Sequence, residues 1–229
     1  MIPVVSVIIP TLNEEGNLVK TLSRLNSDDN LEIIVADGGS GDATVEIAES
    51  HGAQVVFSPK GRGIQLNQGV KASSGELLLF LHGDTILPDR FAPLIRHTMK
   101  RPDCEAGAFS LKIDSARSGL SLVAYCANLR SRLLQMPYGD QGIFTSRSMY
   151  DRIGGFAEVA IMEDYIFIRN LKKHGKIYIL DEAALTSARR WQNMGVIRTT
   201  FINQLIVVGY NCGIKPATLA HWYQRLKGI

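Results

Sequence analysis

The apolar positions of the chain change period repeatedly over its first hundred residues. Val4 to Ile9 is a β-branched apolar run, which predicts a strand that Pro10 ends. Leu18, Leu22 and Leu25 then recur at spacings of four and three, one buried face of a helix. That helix opens at Asn13-Glu14-Glu15, where acidic groups suit a helix N-terminus. The alternation continues with a strand over Leu31 to Ala36, a helix over Ala43 to His51 and a short strand over Gln54 to Phe57. Gly63 to Ala72 reads as a helix, and Leu77 to Leu81 as a strand apolar on both faces. Continuous apolar strands separated by helices predict an α/β fold, a mixed but mostly parallel sheet flanked by helices. In such a sheet, ligands collect in the loops at the carboxyl ends of the strands.

Beyond about Arg101 the rhythm loosens. Ala106 to Ile113 reads as a strand, Leu120 to Leu134 as a helix, and Pro137 to Gly142 as a turn before the strand Ile143 to Ser146. Glu163 to His174 predicts a helix and Lys176 to Leu180 a strand, ahead of a helical C-terminal third. Phe201 to Ile214 is apolar but short, and is interrupted by Asn203, Gln204, Gly209 and Asn211. It reads as a buried helix, with a membrane-surface helix as the alternative. No linker or internal repeat divides the chain, so one domain is expected over residues 1–229.

Composition narrows this picture only slightly. With 229 residues, 45% hydrophobic and 21% charged, a packed globular core is expected. The 25 basic against 22 acidic side chains, formally +3, suit an anionic small molecule as well as many unrelated partners. Three well-separated cysteines and no C-x-x-C pair argue against a disulfide framework or structural zinc, and for a reducing cytoplasm. Met1 to Pro10 lacks a basic segment followed by a long apolar stretch, so no signal peptide is expected. Phe201 to Ile214 with Arg225 and Lys227 would suit peripheral contact at the inner face of a membrane, a soluble lobe or a homodimer interface equally. No nucleic-acid partner is expected.

Four loops follow predicted strands, and each carries polar groups that suit a nucleoside diphosphate. In Pro10-Thr11-Leu12-Asn13-Glu14-Glu15, amides at a helix start can meet ribose or phosphate, and Asn13 and Glu14 can bond hydroxyls; a plain helix cap fits as well. In Asp37-Gly38-Gly39-Ser40-Gly41-Asp42, the glycines let backbone approach a base or phosphate and Asp37 can accept from a base N–H. An ordinary turn with Asp42 capping the next helix explains that loop equally. Gly61-Arg62-Gly63-Ile64-Gln65 sets an arginine before a helix, where it can pair bidentately with a diphosphate or lie solvated. His82 and Asp84, turned by Gly83, can hold Mn²⁺ or Mg²⁺ with phosphates and water completing the shell, or can be satisfied locally in a turn.

Together these segments resemble the GT-A glycosyltransferases, in particular the large inverting family 2. Val7 to Glu15 resembles that family's opening strand and loop, and Val35 to Thr44 its uridine-contacting strand and turn. Leu81-His82-Gly83-Asp84-Thr85 sits where the family keeps its Asp-x-Asp metal motif. Glu163-Asp164 matches the pair supplying the catalytic base, and Arg190-Trp191 the end of a Gln-x-x-Arg-Trp segment, with the adjacent Arg189 leaving the choice between the two arginines open. The matches keep family order from about residue 4 to residue 191, and Leu-His-x-Asp-Thr resembles a short bacterial subgroup.

The resemblance implies a UDP- or GDP-sugar donor bound by Pro10, Thr11, Asn13, Glu14, Asp37, Gly38, Ser40, Arg62, Gln65 and Gly83. It implies a divalent cation at Asp84 and His82, and a catalytic group of Asp164 as base with Glu163, Arg190 and Trp191. Residues 1–104 then form the donor half and 105–229 a helical acceptor lobe, whose loop Tyr138 to Gly142 offers Asp140 and Gln141 to sugar hydroxyls. The acceptor is a small molecule, a lipid-linked intermediate or a glycan.

Two positions depart from the family: His82 replaces the first Asp of the metal motif, and Ser187 replaces the Gln. A nucleotidyltransferase is the rival enzyme, but the first loop has no glycine before Gly16 and no basic residue before Lys20. A catalytically inactive nucleotide-sugar-binding module is the non-enzymatic rival, and Asp84 and Asp164 argue against it. A dehydrogenase lacks support because no G-x-G-x-x-G follows the first strand.

Overall fold

A computed structural model of the protein describes residues 2–25, 30–115 and 118–228, so Met1 lies outside the described residues. The first half alternates β1 (Val5–Thr11), α1 (Glu15–Leu22), β2 (Leu31–Asp37), α2 (Thr44–Ser50), β3 (Gln54–Phe57), α3 (Arg62–Ala72) and β4 (Leu77–Phe80). There follow β5 (Thr85–Ile86), α4 (Phe91–Thr98), β6 (Cys104–Asp114), α5 (Ser118–Leu134), β7 (Ile143–Ser146), α6 (Arg147–Ile153) and α7 (Glu163–Leu171). β8 (Lys176–Ser187), α8 (Arg189–Met194), α9 (Val196–Asn211) and α10 (Pro216–Lys227) complete the order. Among the described residues the strands form one sheet of eight in the order β3-β2-β1-β4-β7-β6-β8-β5. β1 pairs parallel with β2 and β4, β2 with β3, and β6 with β8; β7 runs antiparallel between β4 and β6.

Both faces of this sheet are covered, as continuous apolar strands require. On one face Val5, Val7, Ile9 and Leu79 pack with Leu18, Leu22 and Leu25 and with Phe91 and Ile95 of α4. On the other, Ile8, Ile34, Leu78 and Phe80 pack with α3, α6 and α7 through Leu66, Tyr150, Phe167 and Ile168. Each such side chain contributes about 1.5–3 kcal/mol by leaving water. The α3 face lies close to β1: a Cβ on Gly69 would stand 2.4 Å from Ile8 Cγ2, so only glycine permits that approach.

Three expectations change. Pro10 does not end β1, which pairs through to Thr11. Ile8 accepts from the β4 side and Thr11 from the β2 side, so Pro10 faces β4, whose pairing stops at Ile8; its missing N–H therefore costs no ladder bond. β8 runs seven residues beyond the predicted Leu180, to Ser187. Its register against β6 jumps between Ala108 and Ser110, so the exposed Asp181 and Glu182 fall in a bulge and mask the strand's continuity. Finally, α9 is not a buried helix: Ile202 and Ile206 are covered, but Ile197 and Phe201 are 86% and 66% exposed. Among the described residues, no helix is long and apolar enough to cross a membrane.

Candidate functional site

The parallel strands β1, β2 and β4 end on one side of the sheet, and their loops meet there. Gln65 of α3 donates to the carbonyls of Thr11 (2.7 Å) and Ala36 (2.8 Å) and so ties the ends of β1 and β2 together. Its amide N–H groups, expected among the donor-binding groups, are taken up by backbone. Gly38 lets it lie there, since a Cβ would stand 3.0 Å from Gln65 Nε2. Asp37 is likewise consumed. Its two carboxylate oxygens accept from Thr11 Oγ1, Ser40 Oγ and the Gly39 and Ser40 amides, which fills its four acceptor sites and leaves none for a base N–H. Asn13, at φ 55°, donates its amide to Ser40 Oγ and accepts from Gly41 N, both at 2.9 Å.

A cavity of about 540 Å³ opens beside these loops. Pro10, Thr11, Glu14, Arg62, Gln65, His82 and Asp84 line it from the first half. Asp140, Glu163, Asp164, Arg190 and Trp191 line it from the second, with α9 and α10 contributing Ile206 and Tyr223. Its size is that of an ordinary small-molecule site. Gly83 is buried, and its carbonyl accepts from Thr21 Oγ1 at 2.9 Å, which fixes the loop that carries His82 and Asp84.

His82 and Asp84 have different neighbours. The His82 ring lies against Gly139, where a Cβ would stand 2.6 Å from its Nε2. The protein packed around the imidazole holds its pKa well below the usual histidine range, and Arg62 and Arg190 push it the same way, so His82 is neutral. Asp84 faces Glu14 and Arg189, whose guanidinium is 2.7 Å from Glu14 and 3.9 Å from Asp84. Burial raises the Asp84 pKa, and the Glu14 carboxylate raises it further. Among the described residues no group of three or more His, Cys, Asp and Glu stands ready to enclose a metal. A desolvated carboxylate beside a second acid, with a neutral imidazole two residues away, fits an ion that takes one or two protein ligands and completes its shell with phosphates.

At the start of α7, Glu163 and Asp164 divide sharply. Glu163 is buried, and its carboxylate pairs with Arg62 at 2.8 Å; the side chains are 5% and 44% exposed. Arg62 is therefore engaged within the protein. Burial raises the Glu163 pKa, Arg62 opposes that, and Asp164 adds to it. Asp164 is half-buried, lines the cavity and accepts from the Gly139 amide at 2.9 Å. The pair at the end of β8 also divides. Arg190 is exposed and its charge reaches His82, Asp84 and Asp140. Trp191 lines the cavity but is packed among Leu111, Ile113 and Leu120, and its Nε1–H has no partner among the described residues.

In the turn at residues 139–141, Gln141 is fully buried: it accepts from Ser131 Oγ at 2.8 Å and donates to the Phe109 carbonyl at 3.0 Å. It is part of the framework and does not face a sugar. Asp140 is the reverse case, since its Oδ1 is buried, has no partner among the described residues and borders the cavity. Burial raises its pKa, with Arg130 and Arg190 opposing. Arg189, rather than Arg190, bonds Glu14 and joins the start of α1 to the end of β8, and the sequence reading missed Tyr223 of α10. No local signal marks Tyr223.

This fold is shared with proteins of known structure. A mannosyltransferase from Pyrobaculum calidifontis, PcManGT, solved with GDP-Man and Mn²⁺, superimposes with a TM-score of 0.69 at 16% identity over 100% of this chain and 74% of that one. S. aureus TarS with UDP-GlcNAc gives 0.64 at 20% identity, over 80% of this chain and 58% of that one. The architecture is thus that of the GT-A glycosyltransferases. Residues 6–150 match Glycosyl transferase family 2, and the chain belongs to that family. Among curated relatives, glycosyltransferase AglE of Haloferax volcanii is 36% identical over 94 residues, 36% of this chain and 31% of its own length. Glucosyl-3-phosphoglycerate synthase of Mycolicibacterium smegmatis is 37% identical over 97 residues, 37% of this chain and 32% of its own. The matched stretch thus spans about a third of these relatives.

Proposed function

We propose that the protein moves a sugar from a UDP- or GDP-sugar to an acceptor hydroxyl with inversion of configuration. One observation carries this reading: a single cavity is lined by the loops after β1 and β4, with Asp84, and by the Asp164 carboxylate at the start of α7. Residues 1–104 then serve the donor and residues 105–229 the acceptor.

Asp164 takes the proton of the acceptor hydroxyl. The acceptor oxygen bonds to the anomeric carbon on the face opposite the diphosphate, the anomeric C–O bond breaks, and its electron pair leaves with the nucleoside diphosphate. A single displacement of this kind inverts the centre, and a well-placed base contributes about 10²–10⁴-fold. The Gly139 amide fixes the Asp164 carboxylate, and the Arg62–Glu163 pair fixes the helix turn that carries it. Arg190 balances the charge of the departing diphosphate. The unpartnered Asp140 oxygen accepts from a sugar hydroxyl, which would satisfy a group otherwise costly to bury. Asp84, with His82, would hold Mn²⁺ or Mg²⁺, and such an ion supplies Lewis-acid stabilisation of the leaving group.

The test is calorimetric titration with UDP and GDP, with and without Mn²⁺, on the wild-type protein, Asp84→Ala and Asp164→Asn. Nucleoside diphosphate release from UDP-glucose and GDP-mannose is followed in parallel. Binding should depend on metal, disappear in Asp84→Ala and persist in Asp164→Asn, while release falls at least about 10²-fold in Asp164→Asn. Failure of both nucleotides to bind under any metal condition would overturn the reading, as would equal loss of binding in the two variants.

A further inference from the structure

Charge is segregated along this chain in a way its net value hides. Residues 115–139 and 183–229, which carry α5, α8, α9 and α10, contain nine of the 25 basic side chains and none of the 22 acidic ones. The other 157 residues hold 16 basic against 22 acidic side chains. Arg132 pairs with Asp181, Arg189 with Glu14, and Arg190 faces the cavity, so the outward surplus rests on the remaining basic groups, Lys215 and Arg225 among them.

Exposed apolar surface falls on the same helices. Of twelve large apolar side chains left exposed among the described residues, nine lie on α5, α9 and α10. Leu122 and Leu133 of α5 are 64% and 72% exposed, and Ile197 and Phe201 of α9 are 86% and 66% exposed. The helices are neighbours: Val196 at the start of α9 packs with Leu120 and Ala124 of α5, and Ile202 and Ile206 pack with Leu219 of α10. Lys215 and Arg225 are exposed at the two ends of α10, with Trp222 between them.

We propose that the outward faces of α5, α9 and α10 are a docking surface for an anionic lipid bilayer. Apolar side chains enter the acyl boundary while basic groups meet the headgroups, and neither interaction suffices alone for a short helix. Each basic side chain held near an anionic surface adds about fivefold to partitioning. A second copy of this chain fits less well, because isologous pairing would set Lys215 and Arg225 of α10 against their own kind. The inner faces of α9 and α10 line the cavity through Ile206 and Tyr223. A docked protein therefore holds that side of its cavity beside the headgroups, where an acceptor hydroxyl carried on a lipid would be presented. This last consequence rests on the transferase reading; the docking does not.

The experiment is flotation of the full chain with phosphatidylcholine vesicles, with and without phosphatidylglycerol, at low and high salt. It reads no transfer, so its failure leaves the transferase reading standing. The wild-type protein should float only with the anionic vesicles, and less so at high salt. Trp222 emission should shift to the blue on binding, and Trp222→Phe should lack that shift, because Trp191 is already buried. Lys215→Glu/Arg225→Glu should lower partitioning at least about 25-fold. Leu133→Ser/Phe201→Ser should lower it as well, and both variants should keep the wild-type melting temperature and nucleotide titrations. Absence of flotation with anionic vesicles, or unchanged flotation in both double variants, would overturn the proposal. So would a concentration-dependent dimer that Leu133→Ser/Phe201→Ser dissolves, which would assign the face to a second copy.

Discussion

The Arg62–Glu163 pair joins the start of α3 to the start of α7, and its two halves should not cost the same to remove. Glu163 is 5% exposed at its side chain and Arg62 is 44% exposed. Deleting Arg62 strands a buried carboxylate, whereas neutralising Glu163 leaves a guanidinium that water can reach. Breaking a fully buried pair costs about 3–5 kcal/mol, and an exposed pair contributes about 0–1. With one partner half in water, Arg62→Ala should cost about 2–3 kcal/mol and Glu163→Gln about 1 kcal/mol or less.

The pH dependence follows from burial, which raises the Glu163 pKa while Arg62 restrains the rise. Removing Arg62 lifts the restraint, so the folded-state pKa climbs further above the unfolded value of about 4.3. An acid with a raised folded pKa favours folding when protonated, and that advantage is lost as pH rises from the unfolded value through the folded one. The deficit of Arg62→Ala relative to wild type should therefore be small near about pH 4 and grow to its full size by about pH 8. Urea unfolding of the three proteins across that range measures it. A Glu163→Gln cost equal to or above that of Arg62→Ala, or a deficit that shrinks toward high pH, would refute the reasoning.

Two further substitutions probe other parts of the framework. Gly139→Ala would push a methyl to 2.6 Å from His82 Nε2 and 3.4 Å from Asp164 Oδ2; overpacking should cost about 1–3 kcal/mol in denaturant unfolding, while nucleoside diphosphate release drops about 10²-fold through misplacement of Asp164. Glu32 accepts from Ser6 Oγ and from the Ser74 amide and hydroxyl; burial works against its charge, but these bonds prevail and hold its pKa below the usual range. That stability is present above the unfolded carboxylate pKa and is lost as pH falls through the lower folded value, so Glu32→Ala should cost about 1 kcal/mol at neutral pH and flatten the acid limb of the unfolding profile.

What the sequence disclosed depended on whether the signal was local. β3 and β7 are strands over the residues their composition predicted, because short β-branched or aromatic runs between turns have few alternatives. The leucine face of α1 was legible for the same reason: Leu18, Leu22 and Leu25 are all fully buried, although α1 ends at Leu22 and Leu25 follows in a turn. Gln65 was expected to meet the donor and Gln141 a sugar hydroxyl, yet both amides are taken up by backbone carbonyls. Nothing near them in sequence reveals that their amides bond carbonyls 29 to 54 residues away. The adjacent Arg189 and Arg190 were inseparable on paper, yet on a helix consecutive side chains point about 100° apart. Arg189 therefore binds Glu14, while Arg190 is left to the cavity. α9 was legible as a helix but not in its exposure, because both of its faces are apolar.

The division between consumed and free polar groups gives the site its physical logic. The loops after β1 and β2 are cross-linked by Thr11 to Asp37, Asn13 to Ser40, Glu14 to Thr44 and Glu15 to Asp42, with Gly41 and Ala43 returning bonds to Asn13 and Glu15. Each such bond contributes about 1 kcal/mol, and together they restrict the loops to one arrangement before any ligand arrives. The cavity side runs in the opposite direction. Burial raises the pKa of both Asp84 and Asp140, and Asp140 feels Asp164 and Asp84 as like charges. Such a cluster costs folding energy, and Arg189 and Arg190 only partly relieve it. A fold that saturates its loops can bear that cost, and leaves desolvated carboxylates whose remaining need is a cation or a hydroxyl donor.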